Sequence, residues 1–257
     1  MTTPKVSTIS RGGSRLYVEP TTGVKVPGVT SVLGGIPKPF LQYWGQKLVA
    51  EFACENIGSV TSLLLNGQRQ AAIDMMKNAP RRYTTDRANI GTEAHELFER
   101  LARGEDIGRV HSDFEGYVTQ FKMFLDEFQP EFLMMEETVW SDTYEYAGSF
   151  DAIALIDGEV AVLDWKTTKA IYPEVGLQLA AYRYADHIVR PDGNKVPLPK
   201  INGGAVLHIH PDMHSLVPLR CDEEVFDMFK VLRQQFEWKE LSKTVVGKPL
   251  TPIYKGV

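Results

Sequence analysis

Only two cysteines, Cys54 and Cys221, occur in this chain of 257 residues, and they stand far apart. Two thiols cannot build a disulfide framework, a four-cysteine zinc site or an iron–sulfur cluster. A reducing, cytoplasmic compartment is the expectation. No apolar run approaches the roughly 20 residues that span a bilayer, so no membrane partner is expected. The opening "MTTPKVSTISRGGSR" lacks the apolar core of a signal peptide. Pro4 and the Gly12-Gly13 pair oppose an amphipathic transit helix, which leaves residues 1–15 as a flexible arm. Internal repeats and a charged low-complexity tail are missing too. So is an excess of positive charge, since the net charge is −5. That excludes a surface coated in basic groups, but not a local basic patch or site acids offset by bound metal.

What is present can fill a large core, because 43% of the residues are hydrophobic. Residues 16–36 hold short strand-like pieces and turns. From Phe40 the pattern turns helical, with Trp44, Leu48 and Phe52 spaced along one face. A second helix is expected over residues 68–78, and a third from 84 or 85 to 103, stopped by Gly104. "HSDFEGYVTQFKMFLDEF" predicts a fourth, with Ser112 as N-cap and Pro130 beyond its end.

The period then changes to two. "EFLMMEETVW" and "YAGSFDAIALI" read as strands, and Asp157-Gly158 as a tight hairpin turn into "EVAVLDWKTT". Residues 174–189 return to helix. "GGAVLHIH" and "HSLVPLR" predict two more strands, and "EEVFDMFKVLRQQFEWKEL" a closing helix. The order predicts an α/β (α+β) fold with a central mixed sheet of three to five strands flanked by helices. One domain over residues 16–257 is expected. Residues 16–83 form its mainly helical N-terminal part, 84–243 its core and 244–257 an extended tail.

The hairpin carries unusual cargo. On an extended strand alternate residues share a face, so Val160, Val162, Asp164 and Lys166 point one way and Ala161, Leu163 and Trp165 the other. Pairing about the turn sets Asp151 opposite Asp164. Facing carboxylates repel unless something positive lies between them, and hard oxygen donors suit magnesium or manganese. The same spacing also suits a buried Asp164–Lys166 ion pair with Asp151 capping a turn. Elsewhere His95 and Glu99 lie one helical turn apart, as do Gln178 and Tyr182.

Four elements, "GTEAH", "GSFDAI", "LDWKTT" and "QLAAY", follow one another between residues 91 and 182. Together they resemble the PD-(D/E)xK nuclease superfamily, in its RecB-like, phage-type exonuclease branch, and are similar to the mitochondrial genome-maintenance exonuclease. The resemblance implies a restriction-endonuclease-like core behind a helical N-terminal extension. It implies that His95, Asp151, Asp164 and the Trp165 carbonyl bind one or two Mg²⁺ or Mn²⁺ ions. Lys166 would be the catalytic lysine, with Asp164 and Asp151 acting beside it, and Gln178 and Tyr182 would line the site. Glu99 and Glu137 are candidate supporting acids. Relatives that clamp an iron–sulfur cluster use four cysteines, so this chain belongs with the cluster-free members.

The implied activity is hydrolysis of DNA phosphodiesters from single-stranded or free ends, in phage-type recombination, replication or DNA processing. For a phage protein the compartment is the host cytoplasm. A structure-specific endonuclease on the same core is the enzyme alternative, and a catalytically silent DNA- or protein-binding member the other. Arg69, Arg81, Arg82 and Arg87 are the candidate phosphate contacts, and Tyr83 or the Tyr43-Trp44 pair candidate base-stacking groups.

Overall fold

Asp157 and Gly158 both take positive φ, 49° and 82°, in the computed structural model, which describes residues 5–249. Two left-handed residues make the turn that matches strand twist, and they join β7 (Ala152–Ile156) to β8 (Glu159–Lys166). The register runs from Ile156 opposite Glu159 to Ala152 opposite Leu163, so Asp151 is the next position toward Asp164, as the turn predicts.

This hairpin is the middle of a five-stranded sheet, in the order β12-β11-β8-β7-β4. The outer members are β4 (Glu131–Met135), β11 (Gly203–His210) and β12 (Met213–Leu219). β8 and β11 run parallel and the other pairs antiparallel, so the sheet is mixed.

The period of two sorts the faces. Leu163, Trp165, Ala152 and Leu207 pack against α5 (Ala79–Ala102) and α6 (Ser112–Phe128), where Phe98 stacks on Phe121 at 4.7 Å. Val162, Ile153 and Val206 face α7 (Glu174–Arg183) and α8 (Glu223–Val245), with α1 (Val29–Leu33) beside them. The chain is thus a mixed α/β protein with a central sheet between helical layers.

The close fit of α6 depends on Gly116, where an added Cβ would lie 2.5 Å from the Pro211 carbonyl oxygen. Backbone cannot yield as a side chain can. We expect Gly116→Ala to lower stability by about 1–3 kcal/mol in chemical denaturation; an unchanged midpoint would refute the packing.

Several expectations need correction. Residues 5–15 are not a free arm. β1 (Thr8–Arg11) pairs with β2 (Ser14–Val18), which pairs with β3 (Lys25–Pro27), and Val6 is buried. Lys239 of α8 donates to the Gly12 carbonyl at 2.6 Å, pinning the hairpin. Residues 1–4 of that expectation, and 250–257 of the expected tail, lie outside the described residues. Residues 244 and 245 still belong to α8.

The helical N-terminal part is α2 (Phe40–Glu55), α3 (Ile57–Leu65) and α4 (Arg69–Lys77), of which α3 was not anticipated. α5 begins at Ala79, earlier than expected, because Pro80 in the first turn forfeits only an N–H that has no helical acceptor anyway. His111, not Ser112, caps α6, its Nδ1 accepting the Asp113 N–H.

A second sheet, in the order β10-β9-β5-β6, is the main surprise. It comprises β5 (Thr138–Ser141), β6 (Tyr146–Ser149), β9 (His187–Val189) and β10 (Lys195–Val196), so the helix expected to reach 189 ends at Arg183. Among the described residues no single helix is long and apolar enough to cross a membrane. α2 and α3 reach that test only together, and they are bent by 78°.

Candidate active site

The ribbon that forms β4 and β7 in the central sheet continues as β5 and β6 in the second sheet. It changes sheet at Glu136, whose φ of 55° lies in the left-handed region, and across from it at Asp151. The Glu136 N–H donates to the Asp151 carbonyl at 3.0 Å, and the Phe150 N–H to the Glu137 carbonyl at 3.2 Å. At this corner the Asp151 side chain replaces a ladder partner: its Oδ2 accepts the Trp165 N–H at 2.6 Å. The segment "YAGSFDAIALI" is therefore two strands rather than one, and the break falls at the acid.

His95 projects from the buried face of α5, wedged between Phe98 and Trp165, and its Nδ1 stands 3.4 Å from Asp151 Oδ1. Asp164 is buried on the opposite face of β8 from Trp165. Its Oδ2 lies 2.6 Å from Lys166 Nζ, and its Oδ1 accepts from Gln178 Nε2 at 2.8 Å. The same amide stands 3.1 Å from the Tyr182 hydroxyl, so one turn of α7 fixes both groups. Gly148 makes room for this: a Cβ there would meet the Tyr182 ring at 2.6 Å and Val29 at 2.9 Å.

Electrostatics drive the two acids apart. Burial pushes Asp151 up, but His95, Lys166 and the Trp165 N–H outweigh it and hold the carboxyl at about 2. Asp164 is raised, by burial first and by the Asp151 charge, with Lys166 compensating only in part. For Lys166 burial favours the neutral amine, yet Asp164 and Asp151 prevail and raise it. Burial also lifts Tyr182 well above the usual phenol range. Lys166 therefore stays a cation and Tyr182 a neutral phenol near neutral pH.

These groups line one cleft of about 330 Å³. His95, Asp151, Asp164, Trp165, Lys166, Gln178 and Tyr182 all reach it, as does Arg87. The other candidates lie elsewhere. Glu99 pairs with Arg103 at 2.7 Å, and Glu137 stands 3.7 Å from Arg190. The buried acid at the corner is the neighbouring Glu136. Arg82 lies over the Phe52 ring and donates to the Met75 carbonyl, which makes it a brace between helices. Arg69 and Arg81 are exposed on α4 and α5. Tyr83 meets Trp44 edge-on at 5.7 Å and carries Arg87 over its ring.

Sequence reasoning missed Arg15 and Tyr17 of β2 as cleft residues; Arg15 enters from the end of the segment read as an arm and Tyr17 from the strand-like stretch after it. The Tyr17 hydroxyl accepts the Ser149 N–H at 3.2 Å. Their spacing of two, on one face of "SRLYV", is the signal that marks them.

The chain matches no protein-family model and no curated protein. What the residues can hold is therefore judged from their chemistry. The donor set, two buried carboxylates and an imidazole, suits a hard divalent cation. His95 Nδ1 and Asp164 Oδ2 are buried atoms whose polar neighbours are Asp151 Oδ1 at 3.4 Å and Lys166 Nζ at 2.6 Å. The donors thus fit a cation in kind. Among the described residues no three such side chains converge on a ready-made metal position, and Asp164 Oδ2 is paired with Lys166.

Proposed function

We propose that this chain is a divalent-metal-dependent DNA exonuclease of the PD-(D/E)xK superfamily, in its RecB-like, phage-type branch. Its substrates would be single strands or free ends. One observation carries the reading: a single cleft gathers Asp151 from the sheet corner, Asp164 and Lys166 from the end of β8, His95 from α5, and Gln178 and Tyr182 from α7. The mixed sheet between helical layers supports it as well.

His95, Asp151, Asp164 and the Trp165 carbonyl would hold Mg²⁺ or Mn²⁺, which when bound supplies Lewis acidity and a more acidic water. The chain's own groups do the rest. Lys166 offers a fixed positive charge where negative charge grows on the phosphoryl oxygens. It cannot serve as the base, since its neighbours hold its proton more firmly than usual. Gln178 fixes the orientation of Asp164 through its amide, and Tyr182, kept protonated by burial, is a donor available to the scissile strand. Arg15 and Arg87, at the cleft wall, attract the backbone phosphates.

The test is a time course on 5′- and 3′-labelled single- and double-stranded DNA plus a closed single-stranded circle, with Mg²⁺, Mn²⁺ or EDTA. We expect linear strands to be shortened from an end, circles to survive and EDTA to stop the reaction. Cut circles would make the protein an endonuclease. Binding without cleavage in any metal would make it a silent family member.

Among the basic residues, we expect Arg87→Glu to weaken DNA binding and lower the salt slope by about 1. Arg82→Glu should instead lower thermal stability, because that guanidinium braces helices. Equal salt slopes for wild type and Arg87→Glu would remove Arg87 from the path of the DNA.

A further inference from the structure

Phe40 opens α2, and Tyr172 lies in the segment between β8 and α7. Their rings are parallel within 10°, with centroids 6.2 Å apart. Neither belongs to the core: Phe40 is 51% and Tyr172 44% exposed. Burying such rings is worth more than almost any other side-chain burial, so an open stacked pair needs a reason.

A hollow of about 330 Å³ lies against Tyr172, walled by Thr30, Lys38, Ile171, Lys166 and Gln178. It shares Thr30, Lys166, Thr168 and Gln178 with the cleft that holds Asp151 and Asp164. The hollow therefore adjoins the cleft at Lys166 and ends against Tyr172, the inner ring of the pair. Lys38 is already paired with Glu174 at 2.7 Å, so the far side of the hollow carries little net charge. Such a surface suits the flat, weakly polar part of a ligand, next to a cleft where Arg15, Arg87 and Lys166 suit its anionic part.

We infer that Phe40 and Tyr172 form a stacking platform for a nucleobase of single-stranded DNA, adjoining the phosphate held at Lys166. This rests on the nuclease reading and extends it to a named base subsite. Two rings already stacked on each other form a stiff platform, so an incoming base loses its own freedom but does not have to order the protein side chains. Stacking reads the π-face that every base has, and the subsite is therefore tolerant of sequence. A duplex keeps its bases stacked on one another and cannot use the platform, which favours single strands.

The test measures the affinity of the full chain for a short fluorescent thymidine oligonucleotide in EDTA, where no cleavage is expected. Phe40→Ala and Tyr172→Ala should each weaken binding about tenfold, and Tyr172→Phe should bind like wild type. A single abasic nucleotide, moved along the oligonucleotide, should weaken wild-type binding at one position by a similar factor and leave Tyr172→Ala unaffected there. Both rings are partly exposed, so melting temperatures should hold; if Tyr172→Ala fails to fold, Phe40→Ala carries the test.

Alanine variants that bind as wild type does, or abasic penalties equal in wild type and variant, would overturn the platform. Cleavage by wild type in Mg²⁺ is followed in parallel. Where wild type cuts DNA and the alanine variants bind normally, the platform alone fails; where wild type neither binds nor cuts, the nuclease reading fails with it.

Discussion

Lys166→Met should lower the cleavage rate by about 10²–10³-fold while the protein stays folded. Lys166 sits 2.6 Å from Asp164 and exposes 24% of its side chain in the cleft, so its charge faces both the acid and the open space. Methionine keeps the aliphatic stem and removes the ammonium. Asp164, already raised by burial and by Asp151, then loses the cation that restrains it and holds a proton more readily. On the proposed reading the substitution thus removes the charge that would stabilise the phosphoryl oxygens, and it weakens Asp164 as an anionic donor. Stability should change by only roughly 1 kcal/mol, because neutralising Asp164 relieves the charge left behind. Cleavage within a few-fold of wild type by a folded variant would end the assignment of Lys166 as the catalytic lysine.

Asp151 separates structure from charge. Its Oδ2 accepts the buried Trp165 N–H at the corner where the ribbon changes sheet, and its charge faces His95 and Lys166. Asp151→Ala removes both and should destabilise the chelator-treated protein by about 3–5 kcal/mol. Asp151→Asn can still accept the N–H through its amide oxygen, and loses the charge alone.

The depressed pKa gives the sign. The folded carboxyl sits near 2 against an ordinary 3.8, so its stabilisation is complete above about pH 4 and is lost as pH falls toward 2. Asp151→Asn should therefore be less stable than wild type by about 2 kcal/mol near neutrality, with the gap closing in acid. Asp164 works against this, since its raised value favours the folded state at low pH. Denaturation curves at a series of pH values would measure the gap. A gap that widens in acid would mean that Asp151 is not held ionised by its neighbours.

The hairpin and its acids are legible in the sequence because both signals are local. Two left-handed residues at Asp157-Gly158 set the register, and alternation divides Val162 and Asp164 from Leu163 and Trp165. Gln178 and Tyr182 are legible for a similar reason, being one turn apart on α7. What the sequence hides is long-range. β5 and β6 fall within the two segments read as strands, but no period marks the corner that carries them into another sheet, and β9 has only three residues, so the second sheet goes unseen. β1 looks like an arm because the anchor of its turn, Lys239, lies more than 200 residues away. That Glu136, and not the candidate supporting acid Glu137, is buried at the corner is hidden for want of one backbone angle, the positive φ that turns the chain at Glu136.

The parallel pairing of β8 with β11 bears on how the chain is made. While residues 203–210 are still unsynthesised, the strand bearing Asp164 and Lys166 has a partner on one side only, with an open row of amides and carbonyls on the other. A nascent or C-terminally shortened polypeptide would present that apolar margin, Val162 and Trp165 included, to neighbouring chains. Aggregation of any product ending before Gly203 is the consequence, and ribosome-bound chains would need shielding until β11 arrives.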